Sequence, residues 1–222
     1  MPDLPGWGDS ERIANADHGF VAEAAHVAAF LRHLDAGPVV LLGHSMGGGI
    51  AALVAAKYPD RVARVGLLDA AGVHFEDNAF GLAVLDGRNP FGIEDTASME
   101  QYLSVLFHER SARPPLPWPG AIAFVRHRRN EAAFEQSVLD RIGRSDERFA
   151  PGDAAGDIRQ PAVLIWGAHD AVIDPSAMAL YAARMPQARQ VLLDRSGHMT
   201  LMEQPRDVAD AVHWLIERGT PA

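Results

Sequence analysis

The chain has 222 residues, 48% of them hydrophobic, enough to bury a sizeable core in one domain or two. Its 20 basic and 29 acidic residues leave a formal charge of −9, which disfavours nucleic acid and anionic membrane surfaces as partners and leaves neutral substrates open. The absence of cysteine excludes disulfides, Cys-ligated zinc and thiol catalysis, and no apolar run is long enough to offer a membrane-spanning helix.

The chain opens on Met1-Pro2-Asp3-Leu4-Pro5-Gly6, which does not read as a signal peptide, and a cytoplasmic location is expected. Residues 3–12 read as a loop punctuated by Pro5 and two glycines. From Asp17 the pattern turns helical, with Phe20, Val21, Ala24, Val27, Ala28, Leu31 and Leu34 on one stripe until Gly37-Pro38 stops it. An apolar strand, Pro38 to Leu42, leads into Gly43-His44-Ser45-Met46-Gly47, and a run of small residues to Lys57 reads as the helix that follows. Val62 to Leu68 is a second buried strand, ending at Asp69.

Composition changes after Gly72. Residues 73–157 carry helical patterns at Met99 to Phe107, Gly120 to Arg129 and Ala132 to Ile142, a proline-rich break at 114–119, and no alternating strand pattern. The strand–helix rhythm returns with Ala162 to Gly167, a helix from Pro175 to Met185 capped by Asp174, a strand at Gln190 to Leu193, and a last amphipathic helix from Pro205 to Arg218. Alternating strands and helices predict an α/β fold with a predominantly parallel sheet. The core is expected at 1–72 and 158–222, interrupted by a helical cap at 73–157.

The pattern G-x-S-x-G between a strand and a helix is a nucleophile elbow. The turn is tight, so Gly43 and Gly47 are expected to be glycine because a Cβ would clash. Such a turn lifts a serine hydroxyl to the start of a helix, where backbone N–H groups can receive an oxyanion. A serine hydroxyl needs a base, and the base needs an orienting acid. Sites in this fold class form at the carboxyl ends of strands. Asp170 follows the strand ending in Gly167, and His198 follows the strand ending in Leu193, which is the chain order this arrangement requires.

Asp69, at the end of the second strand, is the rival acid; Asp174 reads as a helix cap. Among the 10 histidines, His18, His26, His33 and His213 read as surface or boundary residues, and His44 as a pocket residue turned away from its neighbour Ser45. His169 is expected in a loop, and His74, His108 and His127 fall in the insertion. Arg126-His127-Arg128-Arg129 reads as a solvated helix face, and Met199 and Met202 as packing beside the site. Gly47-Gly48-Gly49 lacks the Lys-Ser/Thr of a phosphate loop, and no spacing suggests a metal site, so no cofactor is called for.

Gly43-His44-Ser45-Met46-Gly47-Gly48, Trp166-Gly167-x-x-Asp170, Ser196-Gly197-His198 and the opening Asp3-Leu4-Pro5-Gly6-Trp7-Gly8-Asp9-Ser10 resemble the α/β-hydrolase superfamily. The capped bacterial lipase/esterase and monoacylglycerol-lipase-like branch is the nearest in pattern. The resemblance implies Ser45 as nucleophile, His198 as base, Asp170 as its acid and the Met46 backbone N–H as one oxyanion donor. It also implies four strands and a helix ahead of Asp3, roughly 50–90 residues, including a His-Gly loop that supplies the second oxyanion donor. Met1 would then stand where an internal residue of the fourth strand's end belongs, and a truncated record or a misplaced start is expected.

Three consequences are expected. The elbow strand becomes a sheet edge, so the chain should be poorly soluble or self-associate through it. Loss of one oxyanion donor should cost on the order of 10²–10³ in kcat. The activity implied is hydrolysis of a small-molecule carboxylic ester with an apolar acyl group, for which Phe91, Leu103, Leu106, Phe107, Trp118 and Phe124 could form a pocket. The alternatives are C–C bond hydrolysis of vinylogous diketones, perhydrolysis, or a non-catalytic binding protein on the same fold.

Overall fold

Four short apolar runs form strands: β1 Val39–His44, β2 Val62–Leu68, β3 Ala162–Gly167 and β4 Arg189–Leu193. They pair in parallel in the order β1-β2-β3-β4. The computed structural model describes residues 2–218, so the expectation for Met1 lies outside the described residues. Helices α1 Phe20–His33 and α2 Met46–Lys57 flank β1. Between β2 and β3 lie α3 Ala79–Leu85, α4 Thr96–Leu106, α5 Gly120–Arg144 and the short α6 Ala150–Ala154. After β3 come α7 Ser176–Arg184, a single turn α8 Thr200–Glu203, and α9 Pro205–Arg218.

A parallel sheet is stable when both faces are covered, and the alternation of side chains along a strand divides them. On β3, Ala162, Leu164 and Trp166 enter the larger core with α2 and α7, while Val163 and Ile165 enter a second core with Val208, Ala211 and Leu215 of α9. β1 is covered on one face only. Val39 and Leu41 pack against the larger core, whereas Val40 is 37% and Leu42 43% exposed. The expected edge is therefore present among the described residues: β1 pairs with β2 on one side and with no other described strand.

The insertion differs from expectation in its helices. Residues 120–129 and 132–142 belong to one 25-residue helix, α5. Asn130 and Glu131 contain no Gly or Pro to break the i→i−4 ladder, so the helix runs through. α4 starts at Thr96, three residues before the first apolar position, because Asp95 and Ser98 form a reciprocal capping box. α3 was not expected from periodicity; Asn78 caps it, its Oδ1 accepting from Gly81 N at 2.7 Å. Likewise α1 begins at Phe20, because Asp17 Oδ1 instead accepts from Gly19 N at 2.8 Å in the preceding turn.

Candidate active site

Ser45 stands between β1 and α2 with φ 56° and ψ −122°, a left-handed backbone that a non-glycine residue rarely adopts. The surrounding chain holds it there. Ser45 N donates to Leu68 O at 2.9 Å, and Ser45 O accepts from Gly48 N at 2.9 Å and Ala71 N at 3.0 Å. Its side chain makes no capping bond to α2, so the hydroxyl is not spent on the helix. Met46 N, at the first helical position, is one of the donors that an α-helix leaves without an intrahelical partner.

The two glycines of the elbow are not equivalent. A Cβ on Gly43 would lie 2.1 Å from the Gly47 carbonyl oxygen, so the turn excludes any side chain there. A Cβ on Gly47 would meet nothing within 4 Å, which corrects the expectation that both positions are sterically closed. The crowding runs from the Gly47 carbonyl towards Gly43, not in the other direction. Gly49 is closed for a different reason: its Cβ would lie 2.6 Å from Phe20 Cε1 and 2.8 Å from Ala71 O, where α2 packs on α1 and on the loop after β2.

Asp170 and His198 come together across the ends of β3 and β4. His198 Nδ1 lies 2.8 Å from Asp170 Oδ2, and both side chains are buried. The other carboxylate oxygen accepts from Val172 N at 2.8 Å and Ile173 N at 3.0 Å, which fixes the carboxyl plane. With Nδ1–H donating to Asp170, the neutral ring carries its lone pair on Nε2. Burial pulls the imidazole pKa down, but the Asp170 charge and hydrogen bond outweigh it and hold His198 above the usual histidine range. The insertion helps to place this ring: His198 N and Met199 N both donate to Leu106 O, the last residue of α4, at 3.0 and 3.2 Å.

Asp69 does not meet His198. Its Oδ1 accepts from Gly167 N at 2.9 Å and its Oδ2 from Thr200 Oγ1 at 2.5 Å. Burial and the neighbouring Asp170 charge push its pKa well up. Asp174 sits at the head of α7, where its Oδ1 accepts from Ser176 N at 2.9 Å; the helix starts one residue later than expected. His44 Nε2 lies 2.7 Å from His198 O, and burial lowers its pKa to about 4, so this ring is neutral and donates to that carbonyl. His169 lies in a turn, exposed, with its ring stacked on that of His108 at 3.7 Å. His18 is not a surface residue: it is buried, bonds the fully buried Glu23 at 2.8 Å, and meets the edge of Phe134 on α5.

Ser45, Met46, His44 and His198 border one cavity of about 290 Å³. Its lining is mostly apolar and includes Trp7, Met199 and, from α5, Val138, Leu139 and Ile142. Of the six apolar residues expected to form a pocket, Phe91 and Leu106 line it. Leu103 and Phe107 pack in the larger core, Phe124 packs on a small cluster of Ile93, Met99 and Ala121, and Trp118 is 78% exposed. Met202 is also exposed rather than packed beside the site.

Asn89, Arg128 and Glu135 add polar groups to the lining, and Arg128 donates to Glu135 Oε2 at 2.8 Å. Burial raises the Glu135 pKa against the opposing charge of Arg128. Arg126, His127 and Arg129 are solvated as expected, but Arg128 is not. The signal lay in the spacing. Once residues 120–144 are one helix, 128, 135, 138, 139 and 142 share a face, and a break at 130 hides this. Among the described residues, no group of three or more His, Asp or Glu side chains could hold a metal ion, and no helix is long and apolar enough to cross a membrane.

The sequence profile of the alpha/beta hydrolase family matches residues 1–211. The chain is 29% identical over 213 residues to Lipase 3 of Moraxella sp. (strain TA144), covering 95% of this chain and 66% of that protein. It is 26% identical over 226 residues to monoacylglycerol lipase ABHD6 of Rattus norvegicus, covering 95% of this chain and 64% of that protein. The chain thus spans slightly less than two thirds of the length of these relatives. Among solved structures, that of a membrane phospholipase A described as a bacterial virulence factor superposes with a TM-score of 0.89 at 27% identity, covering 99% of this chain and 70% of that one.

Proposed function

The chain belongs to the alpha/beta hydrolase family, and from that premise we propose that it is a serine hydrolase that cleaves carboxylic esters through an acyl-enzyme on Ser45. The observation that carries this reading is the buried His198 Nδ1–Asp170 Oδ2 contact of 2.8 Å, with His198 lining the same cavity as Ser45. In this reading His198 Nε2 takes the Ser45 proton as Oγ attacks the ester carbonyl, and Asp170 stabilises the imidazolium that forms. The tetrahedral oxyanion is received by the Met46 N–H. It collapses as His198 returns the proton to the departing alcohol. Water, deprotonated by the same ring, then releases the acid.

Residues 73–157 act in this reading as the cap over the site: α4 and α5 supply cavity walls, and Leu106 O anchors the His198 loop. The lipase and monoacylglycerol lipase relatives support an ester with an apolar acyl group as the substrate class. Self-association through the open β1 edge is part of the same proposal, supported by the exposure of Val40 and Leu42; sedimentation velocity giving only monomer would overturn it. The central experiment is labelling with a fluorophosphonate probe. Ser45 is expected to be modified and the Ser45→Ala variant to stay unlabelled, whereas a folded chain that takes up no probe would overturn the reading.

A further inference from the structure

The cavity that Ser45 borders is lined mostly by apolar side chains, with two polar groups among them. One is the elbow with His198. The other is Arg128 and Glu135, two helical turns apart on α5, each with a side chain only 14% exposed. We propose that this second group is a subsite for an uncharged, hydroxyl-bearing part of the substrate other than the scissile ester. The proposal rests on the serine-hydrolase reading and adds a substrate feature to it.

The bonding capacity of the pair supports the assignment. Arg128 Nη2 donates to Phe91 O at 3.0 Å as well as to Glu135 Oε2, and Nη1 reaches Tyr102 Oη only at a long 3.3 Å. Arg128 Nε is buried with no partner. Glu135 bonds through Oε2, and its Oε1 accepts nothing among the described residues. Nη1 of Arg128 and Oε1 of Glu135 therefore retain donor and acceptor capacity beside a cavity whose other lining is mostly apolar.

The charge of the pair selects the ligand. A guanidinium and a carboxylate 2.8 Å apart cancel, so an incoming anion meets Glu135 and an incoming cation meets Arg128. A hydroxyl both donates and accepts, and so satisfies a carboxylate oxygen and a guanidinium N–H together. A methyl group in its place leaves both unsatisfied. Leu106, Val138 and Leu139 line the same cavity and fit a methylene chain joining this hydroxyl to the ester.

The test compares kcat/KM for esters of one length that differ only at the end group. In the acyl arm these are p-nitrophenyl hexanoate, its ω-hydroxy analogue and its ω-carboxy analogue. In the alcohol arm they are propyl butyrate and hydroxypropyl butyrate. The hydroxyl ester is expected to be preferred by about tenfold in one arm, which also tells whether the acyl or the alcohol part reaches the subsite. Glu135→Gln keeps the shape but leaves Arg128 uncompensated, and should turn the acyl-arm preference towards the carboxylate. Arg128→Lys, which keeps the charge and loses the fork, should shrink the hydroxyl preference and covers the case in which Glu135→Gln does not fold. A pair that merely ties the cap together would lower all rates without reordering them. Equal rates for methyl and hydroxyl esters in both arms, or an unchanged order in both variants, would overturn the proposal. Calorimetric binding of hexanediol against hexanol to Ser45→Ala needs no turnover. Tighter diol binding without ester hydrolysis would retain the subsite and reject the ester reading; ester hydrolysis without end-group preference would do the reverse.

Discussion

His44 Nε2 lies 2.7 Å from the carbonyl oxygen of His198, so the residue before Ser45 braces the loop that carries His198. The two are 154 positions apart in sequence, and this bond ties the end of β1 to the loop after β4. With its pKa lowered to about 4 by burial, His44 stays a neutral donor across the physiological range. Replacing it with Phe should therefore lower kcat/KM by about tenfold, the cost of one lost hydrogen bond of average strength. Gln, which keeps a donor, should recover part of that loss. Steady-state kinetics on the two variants checks this, and equal activity for Phe and Gln would show that the bond does not position the base.

Asp170 and Asp69 should separate by their variants. Asp170→Asn presents the wrong group to His198 Nδ1 and should reduce kcat on the order of 10³–10⁴. Asp69→Asn still offers an oxygen to Gly167 N and can donate to Thr200 Oγ1, and little charge is lost because the Asp69 carboxyl already has a raised pKa. Its effect on kcat should stay under about tenfold. Comparable losses in both variants, at matched melting temperatures, would mean that the acid is misassigned.

The pH profile follows from the direction of the His198 shift. Only the neutral imidazole can take the serine proton, so activity falls as pH drops through its pKa. Because Asp170 holds that pKa above the ordinary value of about 6.5, the acidic limb of kcat/KM should lie above that value. Asp170→Asn removes the charge and should move the limb downward. A limb that stays in place in the variant would assign it to another group.

The elbow glycines should respond oppositely to alanine. Gly43→Ala forces a Cβ against the Gly47 carbonyl and should destabilise the chain by about 3 kcal/mol or more, or prevent folding. Gly47→Ala meets open space inside α2, and alanine is the better helix former by about 1 kcal/mol. Urea unfolding of the two variants should show a loss and a small gain. Equal destabilisation would mean that Gly47 answers to something other than space for a side chain.

Much of the fold was legible because its signals are local. Val62–Leu68, Ala162–Gly167 and Pro205–Arg218 were readable to the residue, since continuous apolar runs and a 3.6-residue stripe are written in adjacent positions. Helix starts were displaced where side-chain caps, not apolar periodicity, set them, as at Asp95 and Asp17. The division of 120–144 into two helices came from weak periodicity in a polar stretch, and it concealed the face that carries Arg128 and Glu135.

By itself, the sequence determined the elbow at Gly43 to Gly47 and the order of Ser45, Asp170 and His198, each just after a strand (β1, β3 and β4). A glycine-bounded turn and a strand end are properties of a few neighbouring residues. The tertiary structure alone decided which acid meets His198, that Gly47 has room where Gly43 has none, and that one arginine of a basic run turns inward. Each of these depends on atoms brought together from distant parts of the chain: Asp69 onto Thr200, the Gly47 carbonyl onto Gly43 through the tightness of the turn, and α5 onto the cavity. Contacts of that kind follow from packing, and no local pattern records them.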